Sequence, residues 1–389
     1  MYQNMIGEPM SLPGITDSRA LNDAVEGIER HRATPHISTD QHVKNRIVRL
    51  GRSLDGRAAI YLDTKFWIRL RDADMGIPAM DGAGELLDLL RDLTKAGKVF
   101  CPISASVFVE VMKQSDGNTR LATARVIDEL SLGVTLIAKE RRAKTELAHF
   151  IHSFTLERDS LHPLHHLIWT KLAYALDFRY PSSPALDAES DLAVQKAFVD
   201  LMWTIPLADA VTIMGQGMPT ELTDYGEVAT RLNLMKVLHP RKGRSFVQTY
   251  ATELEDQIGD LGDAVMDIVC DLAAESGRRT PLRGSPEWAD MRKMWNGILF
   301  DALKKKGRAR QQLRSLHINT SLQAAFLWDE KRRFQSNDVY DLEHAVAALA
   351  HCQAFFTEHS LRATVTAKHV ALDKLYGCAV ISEVSEAMD

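Results

Sequence analysis

Residues 58–64, AAIYLDT, constrain the fold more than any other stretch of the chain. Ala58 to Leu62 form a short continuous apolar run that stops at Asp63. Continuous rather than alternating apolarity over so few residues fits a strand buried on both faces, as in a parallel sheet covered by helices. Parallel strands need crossover connections, and the next residues supply them. GAGELLDLLRDLTKAG (82–97) places Leu86, Leu89, Leu90 and Leu93 at helical spacing, with Gly97 suited to the C-terminal end. VFCPIS (99–104) predicts a second strand, and the residues from Ser104 to Gln114 a second helix. This strand–helix rhythm is that of an α/β fold.

The rhythm stops near residue 120 and returns near 335. Between them, 161–178, 191–204, 227–238, 248–275 and 287–313 read as helices, with breaks at PSSP (181–184), QGMP (216–219), HPRKG (239–243) and GRRTPLRGSP (277–286). DVYDLEHAVAALAH (338–351) then predicts a helix, and QAFFT (353–357) and GCAVI (377–381) two further strands. Neither flank alone carries enough strands for an independent sheet, so one core split by an insertion explains the order. The expected organisation is an N-terminal extension (1–56), a first core segment (57–138), a helical insertion (139–314) and a second core segment (315–389). The extension is polar, with turn formers at Pro9, Pro13, Gly14 and Pro35, and is read as a mobile lead-in carrying one helix.

Composition narrows the functional classes. The 389 residues carry a net charge of −5, so nucleic-acid contact would have to come from local basic patches and not from the surface as a whole. Cys101, Cys270, Cys352 and Cys378 are scattered without a C-x-x-C pair, which argues against a zinc knuckle or a disulfide scaffold. The N-terminus lacks the basic start and apolar stretch of a signal peptide, and no apolar run approaches the roughly 20 residues of a membrane span. A soluble, cytoplasmic protein is expected, with no membrane partner.

Five acidic residues stand out by position. Asp63 closes the first strand, and ligands of parallel α/β sheets bind at the carboxyl ends of strands. Glu110 lies on the helix after the second strand. Asp338 and Asp341, three residues apart, open the late helix and can point into one cleft. Glu358 follows the strand QAFFT. Gathered carboxylates repel one another unless a cation sits among them. Magnesium or manganese takes such oxygen ligands, makes water nucleophilic and offsets the charge of a phosphodiester. Each residue also has a plainer reading: Asp63 as a loop start, Glu110 and Glu358 as solvated side chains, Asp338 and Asp341 as residues favoured at a helix N-terminus.

The order of these residues resembles the PIN-like family of metal-dependent ribonucleases. IYLDT matches that family's first strand with its closing aspartate, Glu110 the glutamate of the next helix, and Asp338 and Asp341 the acidic start of a later helix. Asp341 stands sixteen residues before Thr357, the threonine that closes the following strand. The resemblance covers 57–138 and 315–385. It implies a PIN-like parallel-sheet core with helices on both faces, here split by a large, mostly α-helical insertion. It further implies an Mg2+- or Mn2+-dependent endoribonuclease acting on single-stranded RNA. Asp63, Glu110 and Asp341 would be primary ligands, and Asp338 and Glu358 supporting ones. Small members often place aspartate after the threonine, where this chain has Glu358. The family includes toxins of toxin–antitoxin pairs, so an antitoxin or other protein regulator and a homo-oligomer are among the expected partners. A catalytically inactive RNA-binding module and a DNA nuclease of related fold are the competing readings.

Several basic residues are candidates for substrate contact. Lys331, Arg332 and Arg333 adjoin the late acidic helix, and Lys65 and Thr357 flank the strand ends. LKKKGRARQQLR (303–314) is a second basic run, with a solvated helix face as its plainer reading. His162, His165 and His166 gather in SLHPLHHL, but no acidic third ligand lies near them in sequence.

Overall fold

The computed structural model describes residues 18–78, 82–154, 161–176, 180–215, 225–238, 245–305 and 307–388. The turns QGMP and HPRKG, and Lys306 of the basic run, lie outside them. The fold is mixed α/β and mostly helical, with a four-stranded parallel sheet in the order β2-β1-β5-β6. The strands are β1 (Ala58–Leu62), β2 (Val99–Phe100), β5 (Ala354–Phe356) and β6 (Ala379–Ile381). A separate antiparallel pair joins β3 (Thr135–Leu136) to β4 (Trp169–Thr170). Among the described residues no single helix is long and apolar enough to cross a membrane.

The chain divides into two compact units. The first comprises Met1–Ala58, Thr64–Ala138 and His165–Thr223. Its N-terminal part holds two helices, Ser18–Arg32 and Thr39–Ser53, where one helix in a mobile lead-in was expected. Ser38 starts the second by accepting a hydrogen bond from the Gln41 amide at 3.2 Å, and Val43 and Val48 lie buried along it. Val43 packs with Tyr174, Val199 and Trp203, which ties this helix to the Ala188–Thr204 helix. The described part of 161–178, residues 161–176, also departs from expectation: in place of one helix it forms a 3-10 turn (Leu164–His166), β4 and a four-residue helix (Leu172–Ala175). Pro163 interrupts helix formation there, and Trp169 and Thr170 find strand partners in the remote β3. β2 is shorter than VFCPIS because Pro102 has no amide to donate. Cys101 bonds instead to the Leu130 carbonyl at 2.9 Å, and Ile103 bridges to Thr135. The expected 287–313 helix is two, Pro286–Lys304 and Arg308–Gln312, parted near Gly307, whose φ of 128° a residue with a side chain rarely adopts.

The second unit comprises Ala59–Asp63, Lys139–Leu164 and Asp224–Asp389. Here β5 pairs in parallel with both β1 and β6, in the register Leu62↔Phe356↔Ile381. Tyr61 and Leu62 are fully buried, as their continuous apolar run predicts. Burial of one such leucine is worth roughly 1.5–3 kcal/mol. The Ser336–His351 helix leads into β5 and is buried along most of its length from Tyr340 to Ala350. Its alanines let it approach the Arg314–Trp328 helix closely. Leu147, Phe150, Leu254, Ile258, Leu299 and Leu316, from four helices, form the larger apolar core of this unit.

Candidate functional site

The strand register fixes the first part of the site. Leu62 pairs with Phe356, so Asp63 and Thr357 are the next residues at the carboxyl ends of adjacent parallel strands. The Asp63 amide donates to the Phe356 carbonyl at 3.0 Å and the Thr357 amide to the Ile381 carbonyl at 2.8 Å, which carries the ladder one residue past each strand. In a parallel sheet the crossover helices begin at this same edge. The helix holding Asp338 and Asp341 therefore points its N-terminus there, and Glu358 follows Thr357.

The four carboxylates lie near enough for their charges to act on one another. The carboxyl of Asp341 is pushed up to about 7, first by burial and then by the negative charges of Asp338, Asp63 and Glu358. His344, three residues further along the same helix, acts in the opposite direction. Asp63 is 6% exposed and Asp338 7%, whereas Glu358 is exposed at the rim. The second unit thus gathers four of the five acidic residues singled out in the sequence, from three separate stretches of chain.

The fifth, Glu110, belongs to the first unit. It lies half-buried on the Ala105–Met112 helix, and Thr64 donates its hydroxyl to it. Lys65 is also in the first unit, at the start of the Thr64–Asp74 helix.

The two aspartates of the late helix are held differently. Asp338 accepts from the Gln335 amide at 2.7 Å and from the Arg332 guanidinium at 2.6 Å, so it caps the helix and anchors an arginine. The plainer reading of Asp338 as a helix-starting residue holds alongside any role in the cluster. Arg332 in turn lies over the Phe326 ring at 3.7 Å from its centroid. Lys331 and Arg333 are exposed. Thr357 is 1% exposed, and its hydroxyl has no hydrogen-bond partner among the described residues.

His344 did not emerge from sequence reading, although its spacing from Asp341 in DLEH puts both on one helix face. It is buried and shares a hydrogen bond of 2.8 Å between its Nδ1 and the Tyr61 hydroxyl, which orients its ring. In the basic run 303–314, Arg310 and Arg314 are half-buried and bond to the carbonyls of Leu303 and Ala350. Lys304, Lys305 and Arg308 are exposed.

The donor set is all oxygen: four carboxylates and an adjacent hydroxyl. That chemistry suits a hard divalent cation, Mg2+ or Mn2+, better than zinc or copper. Burial is the first cause that raises the Asp341 carboxyl to about 7, and the charges of Asp338, Asp63 and Glu358 add to it. Compared with protein-family models, curated proteins and solved structures, the chain matched nothing.

Proposed function

We propose that this chain is a PIN-like, Mg2+- or Mn2+-dependent nuclease whose substrate is single-stranded RNA. The observation that carries the reading is the approach of Asp63, Asp338, Asp341 and Glu358 at one edge of a parallel sheet, where burial first and then the other three charges raise the Asp341 carboxyl to about 7. The reading rests on the second unit alone.

Asp63, Asp341 and Glu358 would hold the cation, which supplies a water poised for attack and positive charge beside the phosphate. Asp338 would act mainly by fixing the helix start and Arg332. Asp341, its carboxyl raised by burial and by its neighbours, would give up its proton more readily as positive charge approaches. His344, tied to Tyr61, would favour that ionised state. Exposed Lys331 and Arg333 would track the phosphate backbone, a salt-sensitive and sequence-independent contribution. RNA is chosen over DNA on the family resemblance, because fold and site chemistry accommodate both.

The test is cleavage of labelled single-stranded RNA and DNA by the purified full chain with Mn2+, then with chelator. RNA should be cut only with the metal, and Asp63→Asn and Asp341→Asn should each lower the rate more than about 100-fold while the protein stays folded. Wild-type rates in either variant overturn the site. An inert wild type that still binds RNA favours a non-catalytic module, and cleavage of DNA alone a DNA nuclease.

A further inference from the structure

The histidine-rich turn SLHPLHHL lacks an acidic partner nearby in sequence, but folding of the first unit supplies one. Asp55 follows the Thr39–Ser53 helix, and His165 and His166 sit in the 3-10 turn, about 110 residues later in the chain. His166 Nε2 lies 2.9 Å and 3.0 Å from the two carboxylate oxygens of Asp55, and His165 Nε2 lies 3.4 Å from Oδ1. The two imidazoles are adjacent, with ring centroids 4.2 Å apart.

From this arrangement we infer that Asp55, His165 and His166 form a binding site for a transition-metal cation of the zinc class, separate from the acidic cluster. Two imidazole nitrogens and a carboxylate oxygen are ligands that zinc accepts together with one water. A tetrahedral ion with bonds of about 2.0–2.1 Å separates its ligands by about 3.3 Å. The contacts of 2.9–3.4 Å onto Asp55 need only small side-chain rotations to reach that spacing.

The support is rigid on one side and open on the other. His166 is 8% exposed, and Gly51 of the preceding helix packs so tightly on it that an added Cβ would stand 2.5 Å from the His166 Cα. His165 and Asp55 are exposed, which gives an ion a path in and leaves a coordination position to water. The ion pairs that Asp55 makes among the described residues are with these two histidines.

The other cluster of similar composition, His31, His42 and Asp200, differs on this point. There Arg46 already contacts the carboxylate at 2.6 Å, so a cation is in place and the hydrogen bonds are complete. At Asp55 no guanidinium takes that role among the described residues. The His166 Nδ1 is buried without a hydrogen-bond partner there, so this ligand lacks the outer carboxylate or carbonyl that strengthens many zinc histidines. Moderate affinity follows, as befits a reversible clip that joins the 165–170 segment to the end of the Thr39–Ser53 helix.

Zn2+ titrated calorimetrically into the full chain, with thermal unfolding in parallel, tests the site. Wild type should bind one Zn2+ at this position and unfold at higher temperature with it. Asp55→Ala and His165→Ala, both at exposed positions, should each weaken that binding at least tenfold and remove the thermal shift. Asp63→Asn, which alters the acidic cluster, should leave both intact, so failure here and failure of the nuclease reading are distinguishable. Zn2+ binding of unchanged affinity in Asp55→Ala and His165→Ala, or no binding by wild type, overturns the assignment.

Discussion

Replacing Asp341 with asparagine should stabilise the metal-free protein while abolishing the proposed metal-dependent cleavage. The carboxyl of Asp341 is raised from 3.8 to about 7 in the folded chain, by burial first and by three neighbouring carboxylates. In the unfolded chain it ionises near its ordinary value. Between those two pH values the folded state holds a proton that the unfolded state has released, so stability falls as pH rises through the interval and the loss is complete above about 7. At 1.36 kcal/mol per pH unit the full difference is on the order of 4 kcal/mol, and discounting for residual exposure leaves about 2–4 kcal/mol. Glu146, 1% exposed and also raised to about 7 by burial, titrates in the same window. The pH profile of wild type alone therefore cannot isolate Asp341, whereas the difference between wild type and variant can. Urea unfolding from pH 4 to 8 in chelator should give no gap at the acid end and an advantage of about 2–4 kcal/mol for Asp341→Asn above pH 7. Mn2+ at a hundredfold excess over its dissociation constant should stabilise wild type by about 2.7 kcal/mol and close much of the gap. An asparagine variant that is less stable than wild type at pH 8 in chelator would refute the idea that this carboxylate is held against repulsion.

Two other substitutions probe how the cluster is held. Asp338→Asn should act in the opposite direction from Asp341→Asn, lowering stability by about 0.5–2 kcal/mol through weakened bonds to Arg332 and the Gln335 amide; urea midpoints at pH 7 read the sign. Tyr61→Phe removes the hydroxyl at 2.8 Å from His344 Nδ1 in a buried setting, so the same measurement should show a loss of about 1–3 kcal/mol.

The parallel sheet and its acidic edge were legible because they depend on local signals. A continuous apolar run buried on both faces announces β1 and ends on Asp63; a helix that opens with two aspartates announces the partner segment. Their meeting needs only the rule that parallel strands share one carboxyl edge. Where the reading departed from the structure, non-local pairing or a missed cap decided. Trp169 and Thr170 became a strand because β3 offered backbone partners more than thirty residues away. The start of the Thr39–Ser53 helix carried a readable signal in Ser38 and the acidic Asp40, but the surrounding polarity masked it. No pattern in the sequence links Asp55 to His165 and His166, because the approach depends on Gly51 packing against the later turn.

The charge of the acidic edge argues for a divalent partner independently of any resemblance. Asp63, Asp338, Asp341 and Glu358 would sum to −4 if all were ionised, and Arg332 offsets one of those charges through Asp338. Burial first, and then the charges of Asp338, Asp63 and Glu358, raise the Asp341 carboxyl to about 7, so a proton there relieves part of that charge at acid pH. In the proposed function a divalent ion at this edge would offset more of that charge than a monovalent one and so favour release of the Asp341 proton. Asp338 holds Arg332 and the helix start, and in the proposed function Asp341 would carry the proton that a metal displaces. Two identical side chains three residues apart are thus held differently, because one has an amide and a guanidinium to bind and the other is buried under the charge of three carboxylates.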